Sequence, residues 1–262
     1  MDLRLTGNVA IVQGASRGLG RGIAEALAAE GCDLIVSARS EGPLREAAAA
    51  ISQVSGRRAI PVAMDSSDAG AAVALVQAAR SNFGRLDIVL ANSGGPPPGG
   101  ALDLADAQWA AAAELLLISP MRLIRESLPL LRESPAPRVM IVTSSSTRQP
   151  VPGLTLSNTF RPAICGLVKT LSEELARDRV RIHSLAPGRF DTDRLREVIQ
   201  VQSARSGKTP EQVTDAMLAS IPAGRLGEPI ELGHLAAFLA SPLADYLTGC
   251  NWLIDGGLIR AI

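Results

Sequence analysis

Tyrosine is almost absent from this sequence of 262 residues: there is one, Tyr246, close to the far end. The rest of the chain therefore holds no phenol, the side-chain hydroxyl whose pKa of about 10 suits it to proton donation. Histidine adds little, with His183 in a β-branched run and His234 in a late helical stretch, each expected to be a satisfied structural residue. The three cysteines, Cys32, Cys165 and Cys250, are odd in number, far apart and without metal spacing. That argues against a disulfide framework or a zinc site and for reduced thiols. No apolar run approaches a membrane span, and Met1 to Thr6 lead straight into a strand pattern, so a cytoplasmic chain without a signal peptide is expected. Neither charge sign is in excess: Lys plus Arg and Asp plus Glu number 26 each, with no basic block. No nucleic acid and no membrane surface is expected as a partner, which leaves small neutral or singly charged ligands.

What the chain does have is alternation. Short β-branched runs at 8–12, 33–37, 59–63, 87–91, 138–143, 180–185 and 251–254 read as seven buried strands, separated by alanine-rich helical stretches. Single crossover helices returning the chain to parallel strands predict one α/β domain over 1–262: a Rossmann-like, doubly wound parallel sheet with helices on both faces. Ligands then bind beyond the carboxyl ends of the strands. The one long departure, 191–226, contains two amphipathic segments and reads as a helical lid over a substrate pocket, the plainer alternative being a fixed helical flap.

Gly14-Ala15-Ser16-Arg17-Gly18-Leu19-Gly20 ends the first strand and opens the first helix. Glycines there let the backbone approach a pyrophosphate seated on free helix N–H groups. Farther on, Ser144 is followed thirteen residues later by Ser157, four later by Arg161, and then by the run Gly166 to Ala176. Together these segments resemble the short-chain dehydrogenase/reductase family, whose glycine spacing differs from the general dinucleotide fingerprint. The resemblance covers nearly the whole chain; 221–229 and 255–257 look like late segments of its 3-oxoacyl-[acyl-carrier-protein] reductases.

The resemblance implies a nicotinamide cofactor held by Gly14, Ser16, Arg17, Gly18, Leu19 and Gly20. It further implies adenine contact at Asp65, a turn at Asn92-Ser93-Gly94, a segment Pro187-Gly188 leading to Thr192 at the carboxamide, and a homotetramer paired through helices near 107–132 and 158–177. Gln13 stands where the family usually has Thr, and its amide could support the Asn92 turn. Ala38 takes the place of the acid that NAD binders use for the ribose hydroxyls, and Arg39 follows it. With Arg17, this favours NADP(H) over NAD(H), because guanidinium forks suit phosphate oxygens.

The family moves protons with a Ser, a Tyr, a Lys and a helix Asn; here those places hold Ser144, Ser157, Arg161 and Leu116. An aliphatic hydroxyl, near water's value of about 15.7, is about five to six units weaker as an acid than Tyr, or roughly 7 to 8 kcal/mol. Arg161 can still offer donors to ribose hydroxyls, but it stays charged and does not relay a proton. Pro120 has no N–H for the Leu116 carbonyl, which is expected to hold Arg161 in part, directly or through a water. Ser145 and Ser146 share the weakness of Ser157, and Arg148 stands where a pocket wall would hold an anion or simply face solvent. Two expectations stay open: an NADP-dependent oxidoreductase with altered proton delivery to a small carbonyl or alcohol substrate, and a catalytically silent member that binds nucleotide for regulation or assembly.

Overall fold

Seven strands hydrogen-bond in the order β3-β2-β1-β4-β5-β6-β7, every neighbouring pair parallel, in the computed structural model, which describes residues 1–261. They are β1 Val9–Gln13, β2 Asp33–Ala38, β3 Ala59–Ala63, β4 Ile88–Ala91, β5 Arg138–Val142, β6 Arg181–Pro187 and β7 Cys250–Ile254. Around them pack α1 Gly18–Ala29, α2 Glu41–Ser55, α3 Ala71–Phe83, α4 Asp106–Ala113, α5 Ser119–Leu131, α6 Thr155–Glu174, α7 Asp193–Ser206, α8 Pro210–Ala219 and α9 Pro229–Ala240. The central strands read as unbroken apolar runs because helices cover both faces, so no position along them meets water. Alternate residues of β1 serve two separate cores. Ala10 and Val12 join Ile23, Leu27 and Leu232, while Val9 and Ile11 join Leu75, Leu123, Ile164 and Val168. Each fully buried Leu or Ile in these layers contributes about 1.5–3 kcal/mol.

Asp87 ties the amino-terminal ends of the strands together. Its carboxylate is buried and accepts from the Val9 N–H at 2.8 Å, from Arg85 at 2.9 and 2.8 Å, and from the Ser134 hydroxyl at 2.6 Å. A buried carboxylate is tolerable only when its lone pairs are filled in this way. On the other layer α1 meets α9 almost backbone to backbone: a Cβ on Gly22 would lie 2.5 Å from the main chain of Pro229.

The long helix expected at 107–132 is interrupted. Between α4 and α5 the chain makes one π turn, Glu114–Ile118, in which the Ser119 N–H bonds the Glu114 carbonyl five residues back. Pro120 explains the slip. It has no N–H to offer Leu116, so the α ladder is already broken, and the helix re-forms one residue out of step.

His183 lies on β6, fully buried, its Nδ1 accepting from Trp252 Nε1 at 3.1 Å and its Nε2 without a partner among the described residues. His234, in contrast, is exposed on α9. Burial first, and then the positive charge of nearby Arg138, pull the His183 pKa down to about 4. The unfolded chain, with an ordinary value of about 6.5, binds this proton earlier. Stability from neutral His183 is thus fully present above pH 6.5 and is lost as pH falls toward 4, by up to about 3 kcal/mol. Chemical denaturation at a series of pH values should show this decline, and His183→Gln should flatten it within that window.

Candidate active site and cofactor cleft

The carboxyl ends of β1 and β4 lie side by side, although the chain leaves them in opposite directions across the sheet, and the crevice between them collects the residues singled out above. Gly14 and Gly18 have left-handed backbones, with φ of 67° and 56°. A Cβ on Gly14 would sit 2.5 Å from Asn92 Nδ2, and one on Gly18 would touch the Thr192 methyl at 3.4 Å. Asn92 Nδ2 donates to the Gln13 carbonyl at 3.3 Å, so it is the Asn92 side chain that braces the main chain of Gln13, the reverse of the support expected from the Gln13 amide. Helix α1 starts without a side-chain cap and without an acid in its first turn. Its first N–H groups are left for an anion, and the glycines keep the approach clear, so these residues fit a pyrophosphate. Ser16 and Leu19 are half-buried beside them, Gly20 is buried, and Gly94 lies exposed on the opposite rim.

The other residues implied for the cofactor are spread around this crevice. Asp65 accepts from the Ser67 hydroxyl at 2.6 Å and its N–H at 2.9 Å; these bonds, and then the charge of Arg39, hold its carboxyl below the usual range. Arg39 is exposed and makes no hydrogen bond among the described residues. Arg17 reaches across to Asp193 at 3.4 Å, an exposed pair. Pro187 is buried, Gly188 packs against Asp255, and Thr192 caps α7 by accepting from the Leu195 N–H at 3.3 Å.

Beneath the crevice lies the serine and arginine group. The Ser144 hydroxyl accepts from the Ser146 N–H at 3.1 Å. One turn apart on α6, Arg161 Nε donates to the Ser157 hydroxyl at 3.1 Å. That hydroxyl also lies 3.4 Å from the Ser146 hydroxyl, and Ser157 is 7% exposed. Arg161 Nη1 donates to the carbonyls of Val142 and Thr143 at 3.0 and 2.8 Å, so the guanidinium is held directly by the end of β5 and makes no direct bond to the Leu116 carbonyl. Burial lowers its pKa to about 10. Arg148 is exposed at the edge of the group. Sequence reasoning missed two partners, Ser146 for Ser157 and Asp193 for Arg17. Only the adjacency of Asp193 to Thr192 hinted at the second.

Among the described residues no cluster of His, Cys, Asp or Glu could hold a metal ion, and no helix is long and apolar enough to cross a membrane. A parallel sheet in this order, with a glycine turn at its switch point, defines a dinucleotide-binding α/β protein. The family model described as enoyl-(acyl carrier protein) reductase matches residues 14–259, and the chain belongs to the short-chain dehydrogenase/reductase family. It is 33% identical over 255 residues to the oxidoreductase UcpA of Escherichia coli K12, covering 97% of this chain and 95% of that one. It is 31% identical over 256 residues to the 3-oxoacyl-[acyl-carrier-protein] reductase FabG of Vibrio harveyi, covering 98% and 99%. The L-sorbose reductase of Gluconobacter frateurii, solved with NADPH and L-sorbose, superposes with a TM-score of 0.95 at 29% identity over the full length of both chains.

Forcing a Cβ into the glycine turn should disturb both the fold and the crevice. Gly14→Ala carries a left-handed alanine and a clash with Asn92, a cost of about 1–3 kcal/mol. The melting temperature should fall by about 3–10 °C, read by circular dichroism.

Proposed function

We propose that the chain is an NADP(H)-dependent oxidoreductase of small carbonyl or alcohol compounds, in which hydride transfer proceeds without a side-chain acid at position 157. What supports this reading is the glycine turn with an uncapped α1 start, which fits a pyrophosphate, beside an enclosed Ser157. When bound, the cofactor supplies the hydride. The chain's own residues supply the rest. The free N–H groups of α1 bind the pyrophosphate, and Arg17 and Arg39 bind the 2′-phosphate. The exposed Arg17–Asp193 pair is weak enough to yield to a phosphate. Arg161 offers its remaining donors toward the nicotinamide ribose. Ser144 steadies a carbonyl oxygen, and the proton comes from water or from the substrate itself. Helices α7 and α8, which share a small core of Ile199, Val213 and Met217, form the substrate lid. Assembly follows the family as a homotetramer.

A second reading, a catalytically silent NADP(H)-binding protein, draws on one observation: the Ser157 hydroxyl is used inside the protein, by Arg161 and Ser146. Binding of NADPH with no turnover across a carbonyl panel would select it.

Fluorescence titration should show NADPH binding at least tenfold more tightly than NADH, with Arg39→Ala removing most of the difference. Equal affinities would remove the basis for the phosphate assignment. Reduction of a simple 3-oxo ester should be slow, because 7 to 8 kcal/mol corresponds to roughly five orders of magnitude in rate. The triple change Leu116→Asn, Ser157→Tyr and Arg161→Lys should raise that rate at least tenfold in steady-state assays. A native chain turning over such esters at ordinary family rates, or a folded triple variant with no gain, would overturn the idea of a lost proton relay.

A further inference from the structure

Arg161 is half-buried, and among the described residues no carboxylate lies within salt-bridge distance of its guanidinium. Its Nε and Nη1 are satisfied by neutral oxygens of Ser157, Val142 and Thr143, whereas Nη2 makes no hydrogen bond to the described residues. Beside it lies a cavity with room for about one water molecule, bordered by Gln13, Leu115, Leu116, Pro120 and Arg161.

Two further polar groups at this cavity lack protein partners. Gln13 is 3% exposed, and its side-chain amide forms no hydrogen bond to the described residues. By strand alternation it points to the same face as Val9 and Ile11, the face that packs against Ile164 of α6. That direction leads into the cavity. The second group is the Leu115 carbonyl. Its α-helical donor, the Ser119 N–H, is spent on Glu114, and its π-helical donor would be Pro120, which has none. A buried amide, a carbonyl and a guanidinium around one water-sized space are what an ordered water needs, and leaving them unpaired would be costly.

We propose that Gln13 is a positioning residue for Arg161, its amide oxygen supplying, through one water in this cavity, the acceptor that no carboxylate provides. The Leu115 carbonyl accepts the water's other proton. In this way an amide from β1 steadies a cation on α6, at a place where the helix residue Leu116 has no polar group to give.

A thermal double-mutant cycle on the nucleotide-free protein tests the link. Gln13→Met should lower the melting temperature by about 3–6 °C in the native background, and by less than about 1 °C when Arg161 is already Met. Gln13→Glu, which keeps an acceptor oxygen, should recover most of the loss. Equal shifts in the two backgrounds, or a high-resolution structure with a dry cavity and the Gln13 amide turned away, would overturn the proposal. Should Gln13→Met not fold, Gln13→Asn, one methylene too short to reach the water, serves in the same cycle. Titration with NADPH adds a readout that rests on the cofactor reading: Gln13→Met should weaken binding about tenfold only where Arg161 is present. If the native chain binds no NADPH, that reading fails, while the thermal cycle still decides the role of Gln13.

Discussion

Everything at the functional end of this protein depends on β1 and β4 being neighbours. The chain runs outward from β1 to β2 and β3, then returns to pair β4 on the other side of β1. Connections on the two sides diverge, so the carboxyl ends of these two strands open a crevice that no loop fills. Gly14 and Asn92 meet there, and the uncapped end of α1 faces the same space. The rest of the sheet adds walls. β5 contributes the carbonyls that hold Arg161, and the segment after β6 brings Thr192 against Gly18.

The half-buried guanidinium of Arg161 gives the site its individual character. A cation held by main-chain dipoles, with no carboxylate within salt-bridge distance among the described residues, keeps its charge while losing part of its hydration, and that loss lowers its pKa to about 10. The Ser157 hydroxyl belongs to the same arrangement. Accepting from Arg161 and lying beside Ser146, it acts here as part of the cation's solvation, in the place where the family carries a phenol. Arg161 and Ser157 make sense as a pair: the shorter side chain leaves its oxygen where the longer one needs an acceptor.

The sheet was legible in the sequence because parallel strands covered on both faces become short apolar runs. All seven strands lie within two residues of their expected bounds. The glycine turn was legible too, since Gly14 and Gly18 adopt backbone angles that few other residues tolerate. The break before α5 was only half legible. Pro120 marks a missing donor, but whether a helix bridges the gap with a water or slips into a π turn depends on packing against α6 and β5. Arg161 shows the same limit. Its spacing from Ser157 put both on one helix face, but its direct bonds to the β5 carbonyls are made by tertiary approach. The Arg17–Asp193 contact joins residues 176 apart, which no local pattern reports.

Asp87 carries a consequence for how the molecule comes together. Its bond to the Val9 N–H spans 78 residues, and the β1–β4 pairing closes a loop of similar length. Until β4 has been made and has returned to the sheet, β1 lacks one of its two neighbours, and the Asp87 carboxylate has only Arg85 close by in the chain. Ordering so long a loop costs entropy before any contact repays it, so the sheet gains its centre late, in a concerted step. The inner strand is therefore the first central strand synthesised and among the last to be secured, and the nucleotide crevice does not exist before that closure.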